Sequence, residues 1–222
     1  MTFPVTTEFK ERQTDKDAAN QVLEDIEGSA PQIQSRSAEM EITGRIPIDL
    51  IKSLKAIGVF RMFVPRSPLL LLLIPAIFVG IATGAVDEIV RVANTGRQQF
   101  RAATPMRDSE LFQAELGRIE ADLNAARACL QVQVASHWNH ALNGTLKREP
   151  FFTQTLRTAA SVGITCVRVA TDCFALGGSR AVYESSALQL RLRDLLVGSQ
   201  HFAAQKRQYV TSGKLLLETD PA

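Results

Sequence analysis

Apolar and polar positions follow a helical period along most of this chain. Apolar residues recur three or four positions apart in the stretches 14–43, 47–57, 108–143, 150–176 and 185–217. This spacing predicts helices, and no segment shows the sustained apolar and polar alternation of a strand. The pattern therefore predicts an all-α protein: an antiparallel four-helix bundle preceded by a short helical segment.

Helix ends are marked by residues with known end preferences. Pro47 and Gly58 are predicted to begin and end the second stretch, and Asp108 or Ser109 is predicted to cap the third. Gly28 and Pro31 predict a bend in the first stretch. The fifth stretch, 185–217, is predicted as a single helix.

An uncharged segment of twenty residues, Ser67 to Val86, allows two interpretations. Its length is about that needed to cross a bilayer. A bundle helix surrounded by neighbours, as in the middle of an oligomer, is also apolar on all sides. Small residues such as Gly80 and Gly84 suit close helix packing. Basic residues flank the segment in similar number, so the positive-inside rule assigns no orientation. The buried helix is the favoured interpretation and a membrane span the alternative.

Charge and cysteine content exclude several classes. The 25 basic and 23 acidic residues are interspersed, which argues against a nucleic-acid partner. Three cysteines without C-x-x-C spacing predict neither a disulfide framework nor a structural zinc site. The polar start of the chain is unlike a signal peptide. These features predict a cytoplasmic protein.

The SHWNH segment holds the one histidine pair with a metal-like spacing, His137 and His140. A di-iron bundle would need Glu-x-x-His motifs on partner helices, and none is obvious, so no metal is predicted. Trp138 is predicted to pack or to line an interhelical pocket. Cys166 and Cys173 are predicted to be small core residues.

Three segments, in order, resemble the acyl-CoA dehydrogenase superfamily. GRIPIDLIKSLKAIGVFRMFVPR, 44–66, resembles the end of its amino-terminal helical domain. The passage from TGRQQF to ARACL, 95–130, resembles the R-x-Q-F passage before the second helix of its carboxy-terminal bundle. FALGGSRAVYESSALQLRLRDLLVGSQH, 174–201, is similar to the GG…RD…H passage of its flavin-dependent monooxygenase branch.

The resemblance implies a truncated molecule. In the family a β-domain separates the helical prefix from the bundle, whereas here Arg66 is followed almost at once by Pro68. The implied domains are a truncated helical segment, 1–66, and a bundle domain, 67–222. Because the missing β-domain lies along one face of the flavin in the family, retention of FAD or FMN by this chain is an open expectation.

The resemblance also implies cofactor-binding positions. Arg97, Gln99 and Phe100 occupy the R-x-Q-F positions that reach the pyrophosphate and adenine side of FAD on a neighbouring subunit. The alternative for Arg97 is capping of the preceding helix. Gly177 and Gly178 would let the backbone approach a dinucleotide, or they simply end a helix.

Two departures from the family pattern weaken this transfer. The family's glycine after Q-F is Arg101 here. A glutamine that precedes the glycine pair in the family is Phe174.

His201 is the catalytic residue that the resemblance implies. The monooxygenase branch carries a histidine there, and an imidazole can relay protons near neutral pH. The glutamate base of the dehydrogenases corresponds to Phe202, which cannot accept a proton, so dehydrogenation is not expected. The alternative is an ordinary half-buried histidine on a bundle face.

Three functional classes follow. The first is a two-component flavin-dependent monooxygenase, ancestrally hydroxylating an aromatic or polyketide-like small molecule with reduced flavin from a partner reductase. The second is a non-catalytic helical oligomer that binds a partner, such as a full-length paralogue, or a small ligand. The third is a membrane-anchored helical protein. Without the β-domain, one apolar face of the bundle would be exposed unless another subunit covers it. A dimer or tetramer is therefore predicted.

Overall fold

The structure is a computed structural model that describes residues 5–59, 71–98, 102–143, 145–146 and 148–218. Every regular element in these ranges is helical, which confirms the all-α prediction. The chain divides into two compact units, Met1–Arg66 and Ser67–Ala222.

The α-helices of the described ranges are α1 Val5–Ser35, α2 Ser37–Thr43, α3 Ile48–Ile57, α4 Leu73–Asn94, α5 Glu110–Leu142, α6 Arg148–Gly177, α7 Ala187–Gly198 and α8 Tyr209–Glu218. Short 3₁₀ turns occupy Met106–Asp108, Gly178–Val182, Phe202–Ala204 and Lys206–Gln208.

The first unit contains α1, α2 and α3. The bend predicted at Gly28 and Pro31 does not interrupt α1 and stays a prediction. Helix α1 continues through Pro31, and the chain breaks at Arg36 instead. The Arg36 guanidinium donates to the carboxylates of Glu39 and Asp49, so a charged pair from α2 and α3 holds the residue at the break. Glu39 lies three residues after the break, whereas Asp49 comes from another helix.

Two predicted helix ends are confirmed. Gly58 ends α3 at φ +94°, in the left-handed region that favours glycine, and its N–H donates to the Leu54 carbonyl. Ser109 is the N-cap of α5, and its hydroxyl accepts from the Phe112 N–H.

The second unit is a bundle in which α6 packs against α4, α5 and α7. The second half of α6 contributes small and β-branched residues to the core, among them Val162, Cys166, Val169, Ala170 and Cys173. Burial raises the pKa of both cysteine thiols to about 12. This confirms the prediction that Cys166 and Cys173 are core residues.

Within the uncharged segment, α4 packs in the bundle on one side. Phe78, Ala82 and Ala85 are buried, whereas Ile77 is 56% exposed. Both α4 and the helical stretch Phe151–Val182 are long and apolar enough to cross a membrane by length and composition. Residues 67–70 lie outside the described ranges. The buried side of α4 places this helix in the bundle core.

The predicted single helix over 185–217 is wrong. Helix α7 ends at Gly198, and α8 begins only at Tyr209. Between them Ala203 and Ala204 are buried, and Ala203 packs in a small cluster with Leu156 and Ala159 of α6. This stretch contains good helix formers, so its local propensity favours one continuous helix. Tertiary packing of the alanines overrides that propensity and ends α7.

The Phe78 ring fits between two glycines that belong to different helices. A Cβ placed on Gly163 of α6 would lie 2.9 Å from Phe78 Cε2, and one on Gly198 of α7 would lie 2.6 Å from Phe78 Cε1. Side chains do not tolerate such separations without a shift. The two glycines therefore allow α4, α6 and α7 to approach closely.

We expect Gly163→Ala to be less stable than Gly117→Ala by about 1–3 kcal/mol. Both substitutions replace a helical glycine and gain similar helix propensity, roughly 1 kcal/mol. A Cβ at exposed Gly117 meets nothing within 4 Å, whereas one at Gly163 meets the buried Phe78 ring. Urea unfolding midpoints of the two variants measure the difference. Equal midpoints would show that the Phe78 ring is free to move.

Candidate functional site

Two adjoining cavities lie where the loop after α4 meets the end of α6. The larger, about 700 Å³, and the smaller, about 340 Å³, are both lined by Thr95, Arg97 and Arg180. We call these two cavities the arginine cleft. The arginine cleft forms at this place because the carboxyl ends of α4 and α6 lie side by side.

The loop after α4 holds Arg97 at this cleft. The Thr95 hydroxyl donates to the Val92 carbonyl at 2.7 Å. Gly96 has a φ of +75°, and its N–H donates to the Ala93 carbonyl. The Arg97 carbonyl accepts from the N–H of Met106 at 2.9 Å, and Met106 is buried.

These contacts bear on the two roles considered for Arg97. Thr95 and Gly96 donate to two of the last carbonyls of α4, those of Val92 and Ala93. The Arg97 guanidinium makes no hydrogen bond to another side chain or carbonyl within the described ranges. The geometry favours cleft lining over helix capping.

Gly177 and Gly178 also line the arginine cleft. Gly178 follows the end of α6 with φ +63° and lines the larger cavity. Gly177 lines the smaller cavity, and a Cβ there would lie 2.7 Å from Leu188 Cδ1 of α7. Helix termination and close packing therefore already account for both glycines. The fold nevertheless brings them together with Arg97, eighty positions earlier in the chain.

The side chains that line the cleft carry a net positive charge. Arg91 is paired with Glu88, with Nη2 of the arginine 2.7 Å from Oε1. Arg97 and Arg180 form no ion pair with any carboxylate in the part of the chain that the structure describes. Unpaired guanidiniums that line a cavity suit an anion, because their planar donors engage phosphate or carboxylate in pairs.

Arg180 is the cleft residue that the sequence analysis missed. It lies on the Gly178–Val182 turn, two residues after the glycine pair. The signal was a basic residue two positions after Gly178, but the fold was needed to show that it lines the same cavity as Arg97. Gln99 and Phe100, also predicted to bind the cofactor, lie outside the described residues, as does Arg101.

His201 lies away from the cleft. It is exposed in the turn after α7, whereas Leu188 at the other end of α7 lines the smaller cavity. Ten residues of helix separate Leu188 from Gly198, a rise of about 15 Å. The sequence-predicted residues therefore fall into two places, one at each end of α7.

The turn around His201 fixes its imidazole. The His201 N–H donates to the Gly198 carbonyl at 2.9 Å, and Nδ1 accepts from the Ala203 N–H at 3.3 Å. With Nδ1 as the acceptor, the neutral ring carries its proton on Nε2. The ring centroid is 4.8 Å from that of Phe202, which is 41% exposed. An exposed imidazole with a proton on Nε2 can exchange protons with a bound molecule or with water.

His137, half of the histidine pair, is a buried residue with both ring nitrogens engaged. The Thr155 hydroxyl donates to the Phe151 carbonyl and accepts from His137 Nε2 at 2.8 Å. The Gln133 side-chain amide donates to Nδ1 at 2.9 Å, and the Thr158 hydroxyl donates to its oxygen. The described residues contain no group of three or more metal-ligating side chains.

The remaining residues of that segment are accounted for separately. His140 Nδ1 is 2.8 Å from the Thr145 hydroxyl, so the two histidines have different hydrogen-bond partners. Trp138 is 51% exposed. It lines neither cavity of the arginine cleft.

We expect stability to fall with acidity because burial lowers the pKa of His137. In the unfolded chain a histidine titrates near pH 6.5, so below that pH the unfolded state binds a proton that the folded state excludes. The free energy of unfolding should drop by up to about 1.4 kcal/mol per pH unit below 6.5 and should be level above it.

Urea unfolding at several pH values measures this effect. His137→Gln should remove this part of the pH dependence, and His201→Gln, at an exposed site, should retain it. An unchanged slope in His137→Gln would assign the acid sensitivity to other groups.

Comparison with known proteins identifies the fold. A family model described as the acyl-CoA dehydrogenase C-terminal domain matches residues 72–206, well over half of the chain. The chain belongs to the acyl-CoA dehydrogenase family. The matched segment includes α4 to α7, both loops of the arginine cleft and His201.

Similar proteins include two monooxygenases and a protein solved with reduced flavin. The indole-3-acetate monooxygenase of Pseudomonas putida is 28% identical over 146 residues, covering 64% of this chain and 36% of that protein. XiaF from a Streptomyces species, solved with FADH2 and glycerol, superposes with a TM-score of 0.61 at 19% identity, over 69% of this chain and 39% of XiaF. The HsaA monooxygenase of M. tuberculosis gives 0.60 at 20% identity, over 77% and 43%.

These relatives are considerably longer than the matched region. The chain spans between 36% and 43% of the length of the three proteins. At these identities the two solved structures establish a shared fold.

Proposed function

We propose that this protein is a flavin-binding oxidoreductase of the monooxygenase type, reduced to helical elements. The observation that carries the proposal is the arginine cleft. Arg97 and Arg180 have no carboxylate partner within the described ranges, and both line a cavity beside the Gly178 backbone. Such a lining fits the phosphate portion of FAD or FMN.

The cofactor would be held chiefly by its phosphate end. Arg97 and Arg180 would bind phosphate oxygens, and Gly178 has no side chain to obstruct the approach. A bound reduced flavin would supply the electrons for reaction with molecular oxygen. None of the described residues forms a strand. These ranges therefore hold no counterpart of the β-domain that covers one face of the bundle in the family.

His201 would act on the proton of a small-molecule substrate. Its Nε2–H can donate a hydrogen bond to an oxygen of the substrate, and an imidazole can both donate and accept a proton. The distance from the cleft implies that the ring end of a cofactor, not its phosphates, would approach this residue. Phe202 beside it adds apolar surface suited to an aromatic or polyketide-like substrate.

The proposal extends to partners and location. We propose a cytoplasmic homo-oligomer, a dimer or tetramer, that receives reduced flavin from a separate reductase or works beside a full-length paralogue. Exposed apolar side chains on α4 and α5, Ile77 at 56% and Val132 at 70%, support association. A monomer mass in light scattering would contradict the oligomer.

A second function is favoured by one specific observation. The predicted site residues divide between the arginine cleft and the His201 turn, and the described residues supply nothing to bridge them. A helical oligomer that binds a phosphorylated small ligand or a partner protein, without catalysis, needs only the cleft. A membrane anchor is not favoured, because the buried side of α4 is used in the bundle.

A flavin titration tests the proposal. We expect FAD or FMN, oxidised or reduced, to bind with micromolar affinity in calorimetry and flavin fluorescence. Arg97→Ala should weaken binding by tenfold or more, since a charge-assisted hydrogen bond contributes about 1.5–3 kcal/mol.

The matched control is Arg207→Ala, an exposed arginine outside the cleft, which should bind as the wild type does. If the wild type folds as a helical protein and binds neither flavin, the flavin proposal is wrong and the ligand-binding alternative gains support.

A further inference from the structure

We propose that one face of α4 is the contact surface for a second copy of this chain, and that Arg191 of each copy pairs there with Asp87 of the other. We call this surface the outer face of α4 and define it by Ile77, Gly80, Gly84, Asp87 and Arg91. The inference rests on the proposed homo-oligomer and deepens it by naming the surface and the charged pair. It does not depend on flavin binding.

The outer face has the spacing of a helix-packing surface. Its residues follow one another at intervals of three or four positions, so they form one row along α4. Ile77 is 56% exposed, and Gly80, Asp87 and Arg91 are exposed as well. Only 33% of the most apolar stretch of α4 is buried. The bundle therefore covers one side of this helix and leaves the outer face uncovered.

Arg191 is a half-buried cation that lies against the outer face. It belongs to α7, and a Cβ placed on Gly84 would lie 2.3 Å from Arg191 Cζ. Glycine at position 84 therefore leaves the space that the guanidinium occupies. Arg191 forms no ion pair or hydrogen bond within the described ranges, and its Nε is buried without an acceptor. Burying an N–H without an acceptor is costly, so we expect an acceptor from another molecule.

Asp87 supplies the complementary charge. It is exposed three positions after Gly84, a rise of about 4.5 Å along the helix. Its carboxylate forms no ion pair in the part of the chain that the structure describes, whereas neighbouring Glu88 and Arg91 neutralise each other at 2.7 Å. The outer face thus presents one cation and one anion that do not pair with each other within one copy.

A two-fold axis between Gly84 and Asp87 would join these charges across two copies. In an antiparallel pair of α4 helices centred there, Asp87 of each copy lies opposite Gly84 of the other, where Arg191 is. The same register places Gly80 opposite Arg91. Each glycine then faces a larger side chain, so the two helices can approach closely. This face is complementary to itself, as an isologous contact requires.

The charges on the outer face favour a second copy over other occupants. Asp87 and Arg91 would be costly in the hydrocarbon of a membrane. A small carboxylate would satisfy Arg191 but would leave Asp87 and the exposed Ile77 without a contact. A second copy supplies an acceptor for Arg191, a cation for Asp87 and an apolar cover for the row.

Sedimentation equilibrium of the full chain with charge-reversed variants tests this inference. We expect the wild type to associate, and Asp87→Arg or Arg191→Glu to raise the dimer dissociation constant at least tenfold, because each places like charges opposite each other at two symmetric points. The double variant Asp87→Arg/Arg191→Glu restores the pair with reversed signs and should recover most of the association. Such a recovery would not follow if the single variants merely failed to fold.

Two further variants sharpen the comparison. Arg207→Glu reverses an exposed charge outside the outer face and should associate as the wild type does. Arg191→Lys keeps the charge but lacks the Nε–H and the planar donors, so its dissociation constant should lie between those of the wild type and Arg191→Glu. Circular dichroism should show the same helix content in all variants.

The outcomes separate this inference from the other proposals. A dissociation constant unchanged in Asp87→Arg and Arg191→Glu, or lost association that the double variant does not recover, would overturn the inference and leave the homo-oligomer standing. A monomeric wild type would overturn both, and stabilisation of that monomer by acetate or its flotation with phosphatidylcholine vesicles would assign the face to a small carboxylate or to lipid. The flavin titration stays a separate test, because neither substituted residue lines the arginine cleft.

Discussion

The close approach of α4, α6 and α7 around the Phe78 ring is the constraint on which the second unit depends. Phe78 is a large side chain, and it is accommodated because Gly163 and Gly198 have no side chains at the contact. Gly163 also faces Ala204 in the turn after α7. One ring therefore sets the separation of three helices and the position of the turn that carries His201.

The same packing determines where the arginine cleft lies. When α4 and α6 are adjacent along their length, their carboxyl ends meet, and the loops that leave them meet as well. A glycine also allows close packing at the carboxyl end of α6. At Gly177, Leu188 of α7 occupies the space that a side chain would fill. The cleft is thus formed by loops, but its walls are fixed by helix contacts in the core.

Features with local causes could be predicted from the sequence. Helical periodicity gave the bundle, Gly58 and Ser109 marked helix ends through their own backbone and side-chain chemistry, and Cys166 and Cys173 were recognised as core residues. The failures have tertiary causes. At the break at Arg36 the guanidinium contacts Asp49 from another helix, and after the end of α7 Ala203 packs on α6.

The candidate site shows the same division. A family resemblance pointed to Arg97, Gly177, Gly178 and His201. The sequence alone did not indicate how far apart these residues lie in space. The structure joins the first three, separates His201 by the length of α7, and adds Arg180. No local pattern could give this arrangement, because cleft residues come from segments eighty positions apart.

Phosphorus NMR of FAD in the presence of the protein tests the central claim most directly, since it observes the diphosphate itself. The account predicts that both phosphorus resonances shift or broaden on adding the wild type, and that neither changes with the Arg97→Gln/Arg180→Gln double variant. Unchanged phosphorus resonances in a sample whose flavin fluorescence shows binding would contradict the account, because the cofactor would then be held without its phosphates.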